Sequence, residues 1–221
     1  MTKKLLLVSC LLLMIIGITA CEKKEKEKVK EEEKVVTEEI TEGTIEGYHF
    51  KETDEQTDRV KIQMENGDII LIVLSNKDTP ITIQNFKDLV SQKYYDGLIF
   101  HRVIKNFMIQ GGDITGTGYG SGNETQIKGE FAANGVKNDM SHTRGVISMA
   151  RGNDMDSAST QFFIVHKDYP SLDGQYASFG KVFAGMDTVD KIAEVKTDNH
   201  DRPEKEQKIK SIRFIELIKE D

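Results

Sequence analysis

The sequence predicts a mainly β fold, an antiparallel barrel or sandwich, with two α-helices and a polar N-terminal extension. Three observations predict it. From Arg59 onward, short apolar runs recur between glycine-bearing turns, the pattern of an all-β domain. Only two segments carry apolar residues at helical spacing, and they lie far apart in the chain. The regular strand–helix alternation of a parallel sheet is therefore missing, and a barrel capped by helices is the better fit. Residues 22–58 are rich in Glu, Lys and Thr and have no apolar stripe.

The leader comes first. "MTKK" is a positive start, and "LLLVSCLLLMIIGITA" is an apolar run short for a membrane span. It stops at Cys21, preceded by Thr19 and Ala20, and "ITAC" resembles a bacterial lipobox. That resemblance implies removal of residues 1–20 as a lipoprotein signal peptide and acylation of Cys21. Two or more acyl chains hold a protein stably to a membrane. The other cysteine, Cys10, lies in the removed part, so no disulfide or thiolate metal site remains. Residues 21–58 read as lipidated Cys and charged tether, with at most a short strand in "GTIEGYHF". Residues 59–221 read as the folded domain.

In that domain "RVKIQMENGDIILIVL" reads as a hairpin, because Asn66-Gly67 between apolar alternations is a strong turn signal. "TPITIQNFKDLVSQKYYDG" reads as a helix with Thr79 as N-cap and Pro80 at its first position. Ile83, Phe86, Leu89 and Val90 form its apolar stripe. "LIFHRVI", "FMIQGGD", "GVISMA", "QFFIVH" and "ASFGKVF" read as strands. "GMDTVDKIAEV" reads as a second helix, with Met186, Val189, Ile192 and Ala193 on one face. "KIKSIRFIELI" reads as a last strand whose broken alternation leaves its inward face open.

The net charge of -7 argues against nucleic acid as the main partner. No Gly-Lys pair is followed by Ser or Thr as a P-loop requires, and "GTGYGSG" does not match GxGxxG. There is no GxSxG elbow and no HExxH. Neither a metal nor a cofactor is expected. His101 and His142 are expected to be structural, and His49, His166 and His200 solvated.

One stretch needs another explanation. "FHRVIKNFMIQGGD" puts Arg102 among apolar residues, which is costly unless the charge is used. With "GVISMARG", "STQFFIV" and "LDGQYASFGKV", in that order, it resembles the cyclophilins, the cyclosporin-binding family of peptidyl-prolyl isomerases. The resemblance covers about Lys61 to Leu217. It implies an eight-stranded antiparallel β-barrel with a helix over each open end. It also implies a peptidyl-prolyl cis-trans isomerase acting on proline-containing unfolded or partly folded proteins. The alternative is a non-catalytic proline-peptide binding module or surface chaperone. A monomer is expected, exported and held to the outer face of the membrane through its lipid.

The chemistry agrees with the residues. Turning an X-Pro bond breaks amide resonance against a barrier of about 18–20 kcal/mol. No nucleophile is needed. In the twisted state the prolyl nitrogen regains a lone pair, and a guanidinium aimed at it binds that state better than the planar one. By resemblance Arg102 is the catalytic residue. Phe107, Met108, Phe163 and Leu172 line the proline pocket; if alternation holds, only one of Phe162 and Phe163 faces it. Gln110 and Gln161 hydrogen-bond substrate backbone. Ala150 and Arg151 meet the residue before proline, and Tyr176 belongs to the binding surface. Gly116, Thr117 and Gly118 border a neighbouring pocket. Three positions depart from many members. Arg151 stands for asparagine, and the added cation is expected to favour acidic substrates. Ser171 stands for tryptophan and Tyr176 for histidine, so cyclosporin binding is expected to be weak.

Overall fold

In a computed structural model, residues 38–120 and 122–218 are described; they form a mainly β structure with two helices. The leader, Cys21 and the chain to Thr37 lie outside the described residues. The strands are β1 Glu42–Ile45, β2 Tyr48–Thr53, β3 Arg59–Met64, β4 Ile69–Val73, β5 Arg102–Ile104, β6 Met108–Gly111, β7 Val146–Met149, β8 Phe162–Val165, β9 Ser178–Ala184 and β10 Ile209–Leu217. They pair antiparallel in one sheet of order β1-β2-β10-β3-β4-β9-β7-β8-β6-β5. This corrects the expectation of an eight-stranded closed barrel: ten strands are present among the described residues, and the ladder does not close on itself. β5 and β10 share no ladder. The chain around their starts does meet, with Phe100 N–H donating to Gln207 O at 2.9 Å and Ile209 N–H to Leu98 O at 2.8 Å.

The two added strands, β1 and β2, fall in the stretch read as tether. Their cause lies on β3. Val60, Ile62 and Met64 face the main core, and by alternation Lys61 and Gln63 face the other way. Both side chains are polar, yet both are fully buried. The β1–β2 hairpin and the segment before it cover them. Lys61 Nζ bonds the Glu52 carboxylate and the Ile40 carbonyl, and it reaches Gln63 Oε1 at 3.1 Å. Gln63 donates to Glu38 O at 2.8 Å and accepts from Ile40 N–H at 2.8 Å. A second apolar cluster of Phe50, Ile69, Leu71, Ala184 and Ile215 seals the same side.

The β3–β4 turn forms over Glu65–Asp68 as its sequence requires. Gly67 takes φ +89°, and Asn66 Oδ1 accepts Asp68 N–H at 3.0 Å. Helix α1 spans Pro80–Ser91 and buries Phe86 and Val90, with Ile83 and Leu89 partly buried against the core. Thr79 holds the N-cap position but does not cap with its side chain; its hydroxyl donates to Asn76 O at 3.1 Å. The cap is Glu130, whose buried carboxylate accepts Ile81 N–H at 3.1 Å, Thr82 N–H at 2.8 Å and the Thr82 hydroxyl at 2.7 Å. An anion at a helix N-terminus satisfies orphan donors and suits the dipole. Helix α2, Met186–Ala193, buries Val189, Ile192 and Ala193 and half-buries Met186.

In β10 the register shifts between Ile209 and Ser211, so Lys210 is a bulge. The extra residue keeps Ile209, Ile212 and Phe214 in the main core, while Ile215 joins the cluster under the hairpin. Both faces of the strand are covered, which is why its pattern lacks alternation.

Candidate active site

Strand register assembles the site. Arg102 pairs with Gln110 across β5–β6, Gln110 with Phe163 across β6–β8, and Phe163 with Ser148 across β7–β8. Direct partners share a face. Their neighbours Val103, Ile109, Phe162 and Ile147 all enter the main core. Arg102, Gln110, Phe163 and Ser148 therefore face away from it. Alternate residues serve different faces, so the arginine in the apolar run is not in the core.

On that outer face lies a cavity of about 690 Å³. Met108, 1% exposed, and Phe163, 5% exposed, are the most deeply buried of its apolar lining residues. Phe107, Leu172 and Tyr176 also line it. Tyr176 meets Phe163 edge-on at 5.8 Å, and Tyr169 packs on Phe107 at 4.3 Å. Arg102 reaches the cavity with its guanidinium half-exposed, and its Nε–H donates to Asp201 Oδ2 at 3.3 Å. Nη1 and Nη2 have no hydrogen-bond partner among the described residues.

The two glutamines form a relay. Gln110 Nε2 donates to Gln161 Oε1 at 3.0 Å, and Gln161 Nε2 donates to Gly118 O at 3.1 Å. Gln161 thus holds the glycine-rich loop, while Gln110 lines the cavity with no hydrogen bond to its Oε1 among the described residues. The "GGD" after Gln110 is explained by close approach. Gly112 has φ +85°, and a Cβ there would stand 2.6 Å from Thr160 O. Asp113 is buried and anchors the loop by accepting N–H donors of Thr115, Thr117 and Gly118 and the Thr115 hydroxyl. Burial pushes its carboxyl up, but the N–H groups of Thr115 and Gly118 outweigh burial and hold it below the usual carboxylate range.

Behind the pocket, His142 stacks on Phe163 at 6.0 Å. Its Nδ1 lies 2.9 Å from Asp173 Oδ1 and its Nε2 3.1 Å from Ser148 Oγ. Burial pushes its pKa down, against the pull of Asp173. It is therefore neutral near pH 7, donating from Nδ1 and accepting the Ser148 hydroxyl. His101 lines the cavity and is 5% exposed, and neither ring nitrogen has a hydrogen-bond partner among the described residues.

Arg151 does not reach out to solvent as a free cation. Its guanidinium lies over the rings of Phe131 at 5.1 Å and Tyr176 at 4.9 Å. Nε and Nη2 donate to Gln175 O, and Nη1 to Gly152 O. It ties the Ala150–Gly152 segment to the segment carrying Tyr176.

Of the expected site residues, Arg102, Phe107, Met108, Gln110, Ala150, Arg151, Phe163, Leu172 and Tyr176 line this one cavity. Thr117 and Gly118 border it as well. Gln161 lines an adjoining cavity of about 350 Å³, shared with Gly118 and Arg151. Gly116 lines neither: it is buried, and its carbonyl accepts from the Arg202 guanidinium. Cys21 lies outside the described residues. His166, expected to be solvated, is 9% exposed and accepts Asn106 N–H at 2.9 Å. Sequence reasoning missed His101, Asp113, Tyr169 and the segment Asp198–Arg202 as site residues. Asp113 alone carried a local signal, an Asp followed by Thr and Gly. Among the described residues no group of three or more His, Cys, Asp or Glu is placed to hold a metal.

A family model described as cyclophilin type peptidyl-prolyl cis-trans isomerase/CLD matches residues 59–214. The chain is 43% identical over 145 residues to the peptidyl-prolyl cis-trans isomerase ppi1 of Schizosaccharomyces pombe, covering 65% of this chain and 90% of that one. It is 43% identical over 150 residues to a peptidyl-prolyl cis-trans isomerase of Acinetobacter baylyi, covering 64% and 74%. The fold is similar to the crystal structure of a Cryptosporidium parvum cyclophilin type isomerase, with TM-score 0.64, 30% identity, and 74% and 99% of the two chains covered. That protein in the presence of the dipeptide Ala-Pro gives a TM-score of 0.62 at 30% identity, over 70% and 97%.

Proposed function

The chain belongs to the cyclophilin-type peptidyl-prolyl cis-trans isomerases and is a peptidyl-prolyl isomerase; from that premise we propose how its site works and where it acts. A prolyl ring enters the outer-face cavity and rests on Met108 and Phe163, flanked by Phe107, Leu172 and Tyr176. Burying a ring there fixes one end of the X-Pro bond. The residue before proline runs along Ala150 and Arg151, with Gln110 Oε1 accepting from its backbone. As the bond twists, the prolyl nitrogen gains a lone pair, and the unpartnered Nη groups of Arg102 donate to it. This interaction is absent from the planar amide, so it lowers the barrier instead of merely tightening binding. Losing one such donor costs on the order of 10²–10³ in rate.

The observation that carries this reading is the shared face. One register line brings a cation with two free Nη groups beside a greasy hollow. The test is a prolyl-isomerisation assay on the full chain beside Arg102→Ala. We expect kcat/KM to fall by about a hundredfold or more, while a proline peptide still binds within a few-fold. Equal turnover in the two proteins refutes the role of Arg102.

The clients we propose are proline-containing unfolded or partly folded proteins; the Ala-Pro dipeptide of the structural relative supports this class. The lipobox-like "ITAC" supports a lipoprotein, exported and anchored through Cys21. Residues 21–37, and the part of the tether not taken up by β1 and β2, would separate domain from membrane. Mass spectrometry of protein from membranes tests this: an unmodified Cys21 with residues 1–20 retained refutes it.

A further inference from the structure

The segment Thr197–Pro203, "TDNHDRP", has no part in the expected site, yet it supplies Asp198, His200 and Arg202 to the cavity wall. It is a tightly built strap. Thr197 bridges Pro203, and Asp198 N–H donates to Arg202 O at 2.8 Å. Asp198 Oδ1 accepts His200 N–H at 2.8 Å and Arg202 N–H at 3.0 Å. At its tip Asp201 takes φ +63°, a left-handed conformation costly for a residue with a Cβ. In that conformation its carbonyl accepts Val103 N–H at 2.8 Å, and its carboxylate accepts Arg102 Nε–H at 3.3 Å. Next to it, the Arg202 guanidinium holds Gly116 O. The strap thus grips β5 and the glycine-rich loop together.

Stability does not explain the Arg102–Asp201 pair. Both side chains are 42% exposed, and such pairs contribute little. What the pair does fix is direction. The carboxylate takes Nε–H and leaves the Nη fork unpartnered. An arginine side chain has several free torsions, and one donor anchored beside the strand removes most of that freedom.

We infer that Asp201 is a positioning residue for the isomerase reaction: by binding Arg102 Nε it turns the Nη groups toward the cavity. The inference rests on the reading of Arg102 as the electrostatic catalyst. Asp201 does not touch substrate; it acts through the guanidinium. Its charge opposes that of Arg102, but it sits on the Nε side, partly screened by water. Misplacement by about 1 Å is enough to cost up to about a hundredfold in rate.

Asp201→Gly tests this, because glycine accepts the left-handed φ and keeps the carbonyl for Val103. Asp201→Asn keeps an acceptor without the charge. In the full chain we expect kcat of the glycine variant to fall about tenfold, with proline-peptide affinity within about twofold of the parent. The asparagine variant should recover most of that loss. In ¹⁵N-labelled protein, the Nε–Hε signal of Arg102 should shift toward that of a free arginine in the glycine variant, a change mere destabilisation does not produce. A folded glycine variant with kcat within about twofold of the parent, or with that signal unmoved, overturns the inference. Equal losses in both variants also overturn it, in favour of a pure charge effect. Arg102→Ala separates the two readings. If it is inactive while Asp201→Gly is not, only the role of Asp201 fails; if it is fully active, both fail.

Discussion

Three arginines line the cavity, and their partners decide what each can do; Arg202 is held by Gly116 O. Arg102 keeps an Nη fork free. Arg151 has its donors on Gln175 O and Gly152 O and its face on two rings. It is a strut that sets the backbone where the residue before proline runs. Exchanging alanine for glutamate before the proline should therefore change kcat/KM by less than about threefold, as for a half-exposed charge pair. A tenfold preference for glutamate, measured on matched peptides, would mean that Arg151 releases its carbonyls. Ser171 has no counterpart to an indole, and Tyr169 packs on Phe107 beside it. Cyclosporin should bind weakly, and sub-micromolar inhibition of turnover would contradict this. Residue types were legible at this scale where the chain keeps them close: Arg102, Met108 and Gln110 declare the site within one short run. Asp201 was not legible. It is 99 residues from Arg102 in sequence, and nothing local says which arginine an acid will meet.

Elements were legible where their causes are local. Asn66-Gly67 encodes its own hairpin, and the stripes of α1 and α2 encode their buried faces. They were not legible where a distant segment supplies the cause. The cap of α1 comes from Glu130, 48 residues beyond Thr82. Glu130→Ala leaves buried N–H groups of α1 unsatisfied and should cost about 2–3 kcal/mol; chemical denaturation measures it, and a cost under about 0.5 kcal/mol would assign the cap elsewhere. The β1–β2 hairpin was legible only as a short strand in "GTIEGYHF", for the same reason. Nothing near Lys61 and Gln63 in sequence says that strands from the N-terminal extension cover them. The burial then needs Glu52, because an unpaired buried ammonium is expensive. Glu52→Gln should destabilise the domain by about 3 kcal/mol, while replacing Glu52 and Lys61 together with leucine and methionine should recover most of it. Equal midpoints for parent and Glu52→Gln in urea would show the ammonium to be solvated.

At the scale of the whole molecule, the sheet uses both of its sides. One encloses the main core, and the other carries the reaction cavity at β5–β8 and the hairpin cluster at β2–β10. Polar groups trapped between these layers make stability depend on pH in two separable windows. His101 and His142 both have pKa values below the ordinary 6.5, driven down by burial, while Asp113 pulls the first up and Asp173 the second. In the fold both rings stay neutral where the unfolded chain already binds protons. Stability is therefore full above 6.5 and falls as the pH drops from there toward the lowered values. Asp113 and Asp173 act lower. Burial raises both, but donated hydrogen bonds prevail and hold both below 3.8, so their contribution is lost only as the pH falls below that value. Denaturation curves from about pH 7 to about pH 5 should thus show a decline that belongs to the histidines. In a His101→Gln, His142→Gln double variant the absolute stability will be lower, but its slope over that interval should flatten. An unchanged slope would mean that both rings take up protons in the folded state as readily as in the unfolded chain, and the dry wall behind Phe163 would have to be wet.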